Sequence, residues 1–258
     1  MPRVRVGDAD VAYDVQGDGE PLLLLHGSTG SGAHWAQVVP GLVDRFQVVL
    51  PDYAGGGATT DGGGPLQVDD LAAQVLAVAD DLGAERFGLA GWSLGAVVAA
   101  AAAAAAPARA TALTLVCGWA VSDDRMRFTF DLWRRLLSTD RALFARYTFA
   151  DGASGKLFEV LGEGVEALIA PTAASFASGS ERHADLDGRV DIADRLGAIA
   201  APTLVVGGVE DRWVPINHSR FLADTIAGAR LVELECGHLV LVERAAELTD
   251  LLREHHGH

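Results

Sequence analysis

Cysteine is almost missing from this chain of 258 residues. Cys117 and Cys236 are the only two, far apart and each beside an apolar run. Such a pair builds neither a disulfide framework nor a Cys-x-x-Cys metal knuckle, so both read as buried thiols in a reducing compartment. Basic residues are also scarce: 20 Lys and Arg stand against 35 Asp and Glu, a formal charge of -15. No Lys/Arg block is long enough to track a phosphate backbone, which argues against a nucleic-acid partner. Met1 to Asp10 alternate Val with Arg, Gly and Asp and lack the basic start and apolar stretch of an export signal, so the chain reads as cytoplasmic. No apolar run reaches the roughly 20 residues of a membrane span. The nearest candidate, Ala96 to Ala106, stops at Pro107 and reads as a buried helix. The histidines show no clustered ligand spacing, and neither Ser28 to Gly32 nor Gly55 to Gly57 is followed by the Lys-Ser/Thr of a P-loop. No metal and no cofactor is expected.

What the chain has is apolar sequence, half of its residues, arranged in alternating strand-like and helix-like segments. Val4 to Val6 and Val11 to Val15 alternate across Gly7-Asp8 like an antiparallel hairpin. Pro21 to Leu25 is continuously apolar, as a strand buried on both faces must be, and ends at His26-Gly27-Ser28. Trp35, Val38, Val39 and Leu42 recur at helical spacing before a strand at Phe46 to Leu50. A helix over about Val68 to Leu82, a strand over Arg86 to Ala90, an Ala-rich helix and a strand over Ala112 to Cys117 follow. Two later strands, Thr203 to Val206 and Leu231 to Leu234, are each trailed by helix-like sequence. This is the pattern of an α/β fold with a doubly wound, mostly parallel eight-stranded sheet. The rhythm breaks once: between Gly118 and Ala200 only helical spacings occur, as at Met126, Phe130, Trp133 and Leu137. The division expected is a core of residues 1–118 and 200–258, with residues 119–199 a helical cap inserted after the sixth strand.

The chemistry falls at strand ends. Gly91-Trp92-Ser93-Leu94-Gly95 fits Gly-x-Ser-x-Gly between an apolar strand and a helix, the context in which a tight turn projects a nucleophilic hydroxyl. The alternative for Ser93 is an ordinary helix N-cap. A serine nucleophile needs a base, and Gly237-His238 follows the last strand at the same rim. His34 and His218 begin helices, His183 lies in the insertion, and His255, His256 and His258 read as a frayed tail. The imidazole needs a carboxylate to hold its tautomer, and Asp211 follows the strand ending at Val206. Glu210 is the rival, with Asp123 or Asp124 more distant options. Backbone donors for a tetrahedral oxyanion are expected from Leu94 and from Ser28, with Thr29 the alternative for the second; His26 reads as structural.

His26-Gly27, Pro51-Asp52-Tyr53-Ala54-Gly55, the Ser93 pentapeptide, Gly207-Gly208-Val209-Glu210-Asp211 and Gly237-His238 together resemble the α/β-hydrolase superfamily over nearly the whole chain. Within it the sequence looks like the small bacterial esterase, lactonase and cofactor-free perhydrolase group, and the Ser93 segment resembles that of pimeloyl-carrier-protein methyl esterase. It departs at Tyr53-Ala54, where Arg-Gly is frequent, and it lacks the Gly-Pro-Gly oxyanion loop of the carbon–carbon bond hydrolases. Serine at the elbow argues against epoxide hydrolases and haloalkane dehalogenases. The resemblance implies hydrolysis of an ester, lactone or thioester through an acyl-enzyme on Ser93. Other chemistries open to such a pocket are a non-hydrolytic lyase or cyclase, or a ligand receptor that has kept the fold.

The expected partner is a small acyl substrate, apolar or aromatic, with Trp92, Trp119, Phe130 and Trp133 as candidate pocket residues; helix-packing residues would look the same. Arg125, Arg127, Arg134, Arg135, Arg141 and Arg146 offer a face for an acidic carrier protein, a reading that the overall negative charge opposes.

Overall fold

The computed structural model describes residues 1–257. Eight strands form one sheet: β1 (Arg3–Val6), β2 (Ala9–Gln16), β3 (Glu20–Leu25), β4 (Phe46–Asp52), β5 (Phe87–Trp92), β6 (Ala110–Val116), β7 (Thr203–Gly208) and β8 (Arg230–Leu234). Their spatial order is β1-β2-β4-β3-β5-β6-β7-β8. The β1–β2 and β2–β4 pairs are antiparallel and every other pair is parallel. The sheet is thus doubly wound and mostly parallel.

Both faces of the parallel part are covered, which is why its strands carry unbroken apolar runs. Leu23 and Leu25 of β3, Leu89 of β5 and Leu115 of β6 point into one core with α1 (Val68–Asp81) and α2 (Leu94–Ala105). Leu22 and Leu24, Ala90 and Val116 point into the other, against Trp35 and the C-terminal helix. Helix α2 is buried along most of its length; its alanines let it lie close to the sheet.

Between β6 and β7 the chain runs through α3 (Asp124–Thr139), α4 (Arg141–Gly152), α5 (Gly155–Leu161), α6 (Val165–Ser175) and α7 (Ser180–Asp187). Asp123, Asp140 and Ser154 cap the first three, each side chain accepting from amides of the first turn. This helical cap leaves and rejoins the sheet at one place, where Val121 bridges Asp191. After β7 come α8 (Ile216–Thr225), α9 (Val240–Glu243) and α10 (Ala245–His256).

Two expectations change. The segment from Trp35 to Leu42 forms two 3-10 turns, Gly32–Trp35 and Val39–Gly41, in place of one helix. Pro40 supplies no amide and Gly41 favours no helix, so the ladder cannot run through. The tail is not frayed at His255 and His256. His256 is buried, its Nε2 2.9 Å from Thr114 Oγ1, in space left by Gly88, where a Cβ would lie 2.6 Å from His256 Nδ1. His258 lies outside the described residues.

Candidate active site

The turn between β5 and α2 bends so sharply that Ser93 takes φ 58° and ψ -125°, a conformation costly for any residue with a side chain. Its flanking glycines make the bend possible. A Cβ on Gly91 would lie 2.0 Å from Gly95 O, and one on Gly95 2.2 Å from Leu25 O. The Ser93 amide is tied to Val116 O at 2.9 Å, anchoring the turn to β6.

His238 Nε2 lies 2.9 Å from Ser93 Oγ, and its Nδ1 lies 2.7 Å from Asp211 Oδ2. The other Asp211 oxygen accepts the amides of Trp213 and Val214, both at 2.9 Å, which fixes the carboxylate plane. His238 is held by its backbone as well, its amide donating to Gly152 O and its carbonyl accepting from Trp92 Nε1. The rings of Trp92 and Trp213 flank the imidazole at 5.3 and 4.8 Å. All three polar residues are buried. Glu210 is exposed, with Oε2 3.5 Å from the Gly155 amide; Asp123 caps α3 and lies 3.2 Å from His218 Nε2; Asp124 pairs with Arg127.

Cys117 is a neighbour that sequence reasoning missed. Its sulfur, an Asp211 oxygen and a His238 nitrogen lie within 4.8 Å of one another. Burial, then the Asp211 charge, pushes the Cys117 thiol well above its ordinary pKa, so it stays protonated behind the carboxylate. Burial likewise pushes Cys236 up to about 12.

The loop after β3 carries Ser28 and Thr29. The Thr29 amide donates to His183 Nδ1 at 3.2 Å, so that donor is already engaged. The Ser28 hydroxyl donates to Asp187 Oδ2 at 2.6 Å. His26 is fully buried, Nδ1 donating to Gly27 O at 2.7 Å, and it stacks on Tyr53 at 4.0 Å between centroids while the Tyr53 hydroxyl bonds His26 O. Tyr53 thus braces this loop at the position where the sequence departs from the commoner Arg. Asp52 accepts the amides of Gly32 and Ala58, both at 2.8 Å, and orders the glycine-rich segment beside it.

Ser28, Ser93, Trp92 and His238 open onto a cavity of about 260 Å³ beneath the cap. Its other walls are mostly apolar: Trp133, Phe144, Phe149, Phe176, Trp213, Leu239, Leu241 and Val242, with His34, Thr148, Thr172 and Ser175 between them. No Asp, Glu, Lys or Arg lines it. Trp119 and Phe130, expected in the wall, are not there. They stack on each other at 5.6 Å in the core under α3, Trp119 donating to Ser122 Oγ. Phe130 reaches the site only through Trp133, whose ring it meets edge-on at 5.2 Å. The arginines of the cap are largely satisfied within it: Arg127 by Asp124, Arg134 and Arg135 by Asp131, Arg146 by Glu166, and Arg141 by the carbonyls of Phe176 and Ala177.

Comparison with known proteins identifies the family of the chain. Pyrrolizixenacetamide deacetylase of Xenorhabdus hominickii is 37% identical over 261 residues, covering 98% of this chain and 97% of that protein. A thermophilic esterase from Thermogutta terrifontis superposes with a TM-score of 0.86 at 25% identity, over 98% of this chain and 97% of the other. A hydrolase from Pseudomonas aeruginosa gives 0.88 at 27% identity, over 100% and 98%. The family model for the alpha/beta hydrolase fold matches residues 20–245, and the chain belongs to that family of enzymes.

Proposed function

We propose that this enzyme hydrolyses a small, uncharged ester, lactone or amide through an acyl-enzyme on Ser93. One observation carries the reading: a hydrogen-bonded Ser93–His238–Asp211 triad presents Ser93 and His238 to a mostly apolar cavity that, among the described residues, no Asp, Glu, Lys or Arg lines. A carboxylate-bearing substrate would lose its hydration there with no cation to receive it, whereas an apolar acyl group gains by leaving water. The deacetylase similarity extends the scope from esters to amides. The internal pairing of the cap arginines favours a free small molecule over a carrier-bound one.

In this reading His238 takes the Ser93 proton as Oγ attacks the carbonyl carbon, and Asp211 holds the imidazole with Nδ1 protonated and stabilises the imidazolium. The amides of Leu94 and Ser28 receive the oxyanion, assisted by the N-terminus of α2. His238 then protonates the leaving alcohol or amine, and water repeats the steps to release the acid.

The test joins labelling to turnover. A fluorophosphonate should label the wild-type chain and leave Ser93→Ala unlabelled, with turnover of aryl acetates and acetanilides lost by roughly four to six orders of magnitude. Products formed in heavy-oxygen water should carry solvent oxygen, as a lyase product would not. Undiminished turnover in folded Ser93→Ala removes the proposal, and so does a preference for carboxylate-bearing over neutral esters.

A further inference from the structure

We propose that Asp187 is a positioning residue for acyl transfer: from the cap, it fixes Ser28, and with it the amide aimed at the reacting carbonyl oxygen. This rests on the reading of Ser93 as nucleophile and of Ser28 as an oxyanion donor. Asp187 is the last residue of α7, fully buried, 159 positions along the chain from Ser28, and 2.6 Å from its hydroxyl. The same helix grips the next residue of the loop. The Thr29 amide donates to His183 Nδ1, and in the turn just before the helix the Ala177 amide donates to Thr29 O at 2.8 Å. Because His183 Nδ1 accepts, its Nε2 carries the proton and donates to Ala54 O at 3.0 Å. Thr29 holds φ 70°, so the loop is strained and needs an external hold to stay there.

A carboxyl recruited for stability alone would have both oxygens engaged, yet Asp187 Oδ1 has no hydrogen-bond partner. An ionised carboxylate so placed is expensive. Burial pushes the Asp187 carboxyl up to about 8, against the pull of the Ser28 hydroxyl, so at neutral pH the side chain is predominantly uncharged. The groups around it offer no compensating cation. Ser28 lies in the loop, Tyr53, which feels the Asp187 charge, lies just past β4, and His183, kept neutral by burial, lies one turn back on α7; Ser122 donates to the Asp187 carbonyl, not to its side chain. Ionisation would put a negative charge one hydrogen bond behind the loop that must receive negative charge in the transition state. The uncharged acid holds the loop without that penalty.

The experiment compares Asp187→Asn, Asp187→Ala and Ser28→Ala with wild type on a neutral aryl ester between pH 6 and 10, with folding checked by near-ultraviolet circular dichroism. Asp187→Ala should lower kcat by roughly tenfold or more with KM little changed, Ser28→Ala should do the same, and the double variant should be no worse than either, because one hydrogen bond is lost in each. Wild-type kcat should fall above about pH 8 as Asp187 ionises, and Asp187→Asn, which still accepts from Ser28, should keep kcat near wild type without that fall. An alkaline fall that survives in Asp187→Asn overturns the proposal, as does a folded Asp187→Ala with wild-type kcat. Ser93→Ala in the same assay separates the two readings: if it stays active the nucleophile assignment fails, and if it is dead while the Asp187 variants are unaffected only the positioning role fails.

Discussion

Glu210 and Asp211 are adjacent carboxylates at one strand end, and the backbone turns only Asp211 toward His238. The turn after β7 carries Asp211 inward to accept two amides and face His238, while Glu210 stays exposed near Gly155. Asp211→Asn should therefore lower kcat by about 10⁴ with little change in KM, since it leaves the imidazole in the wrong tautomer. Glu210→Gln should stay within a few-fold, and steady-state kinetics of the two variants that reversed this ranking would relocate the acid. Ser93, Asp211 and His238 are legible in sequence because each is tied to a strand end whose apolar run is unmistakable. Asp187, His183 and Cys117 are not, because their roles depend on how distant segments fold back on the loop after β3 and on the carboxylate after β7. Nothing in the spacing of α7 distinguishes a buried Asp187 from its exposed neighbour Asp185.

At the scale of elements, the cap supplies four of the apolar side chains in the cavity wall, Trp133, Phe144, Phe149 and Phe176, opposite Trp92, Trp213, Leu239, Leu241 and Val242 of the core. Trp133 of α3 packs edge-on against Trp213 at 4.5 Å and Phe144 of α4 at 5.3 Å, and Phe176, just past α6, packs against Phe144 at 5.0 Å. Truncating a ring in this cluster enlarges the acyl space while leaving the relay in place. Trp133→Leu and Phe176→Leu should shift kcat/KM toward bulkier acyl groups by roughly tenfold relative to acetate. An unchanged ranking across an acyl-length series in folded variants would reduce the cap to a cover. Helical periodicity marks α3 clearly but not which of its residues meets the cavity; Phe130 shares the spacing of Trp133 yet lies against Trp119 away from the cavity. The same limit applies to Trp35 and Leu42, whose apolar spacing suits a helix while Pro40 breaks it into two turns.

For the whole molecule, the two cores bury imidazoles as well as hydrocarbon. Burial holds His26 well below 6.5, His183 at about 4 and His256 at about 3. The unfolded chain takes up protons on these groups as pH falls through 6.5, whereas the folded chain refuses them until its own lower values. The stability they permit is therefore complete above 6.5 and is lost progressively toward pH 4 and below, at about 1.4 kcal/mol per group per pH unit. Thermal melts should show a steep fall in Tm between pH 6.5 and 4.5, less steep in His256→Gln. A flat Tm over that interval would contradict the burial of these rings as neutral groups. The architecture itself was readable because a parallel sheet covered on both faces writes continuous apolar strands; the burial of His256 was not, because it depends on a void at Gly88 that sequence does not display.

The bridge between Val121 and Asp191 brings the two ends of the helical excursion together, so β6 and β7 can pair whatever lies between them. Topologically the excursion is a replaceable cassette, and a graft from a relative would leave the register of the sheet intact. Chemically it is not replaceable, because His183 and Asp187 travel with it and the strained Thr29 loop would be left behind without its grip. The cap therefore carries its own anchors for the loop, and a transplanted cassette should keep the loop in place only if it brings groups equivalent to His183 and Asp187, since its hold on Thr29 is through the backbone and its hold on Ser28 through the hydroxyl.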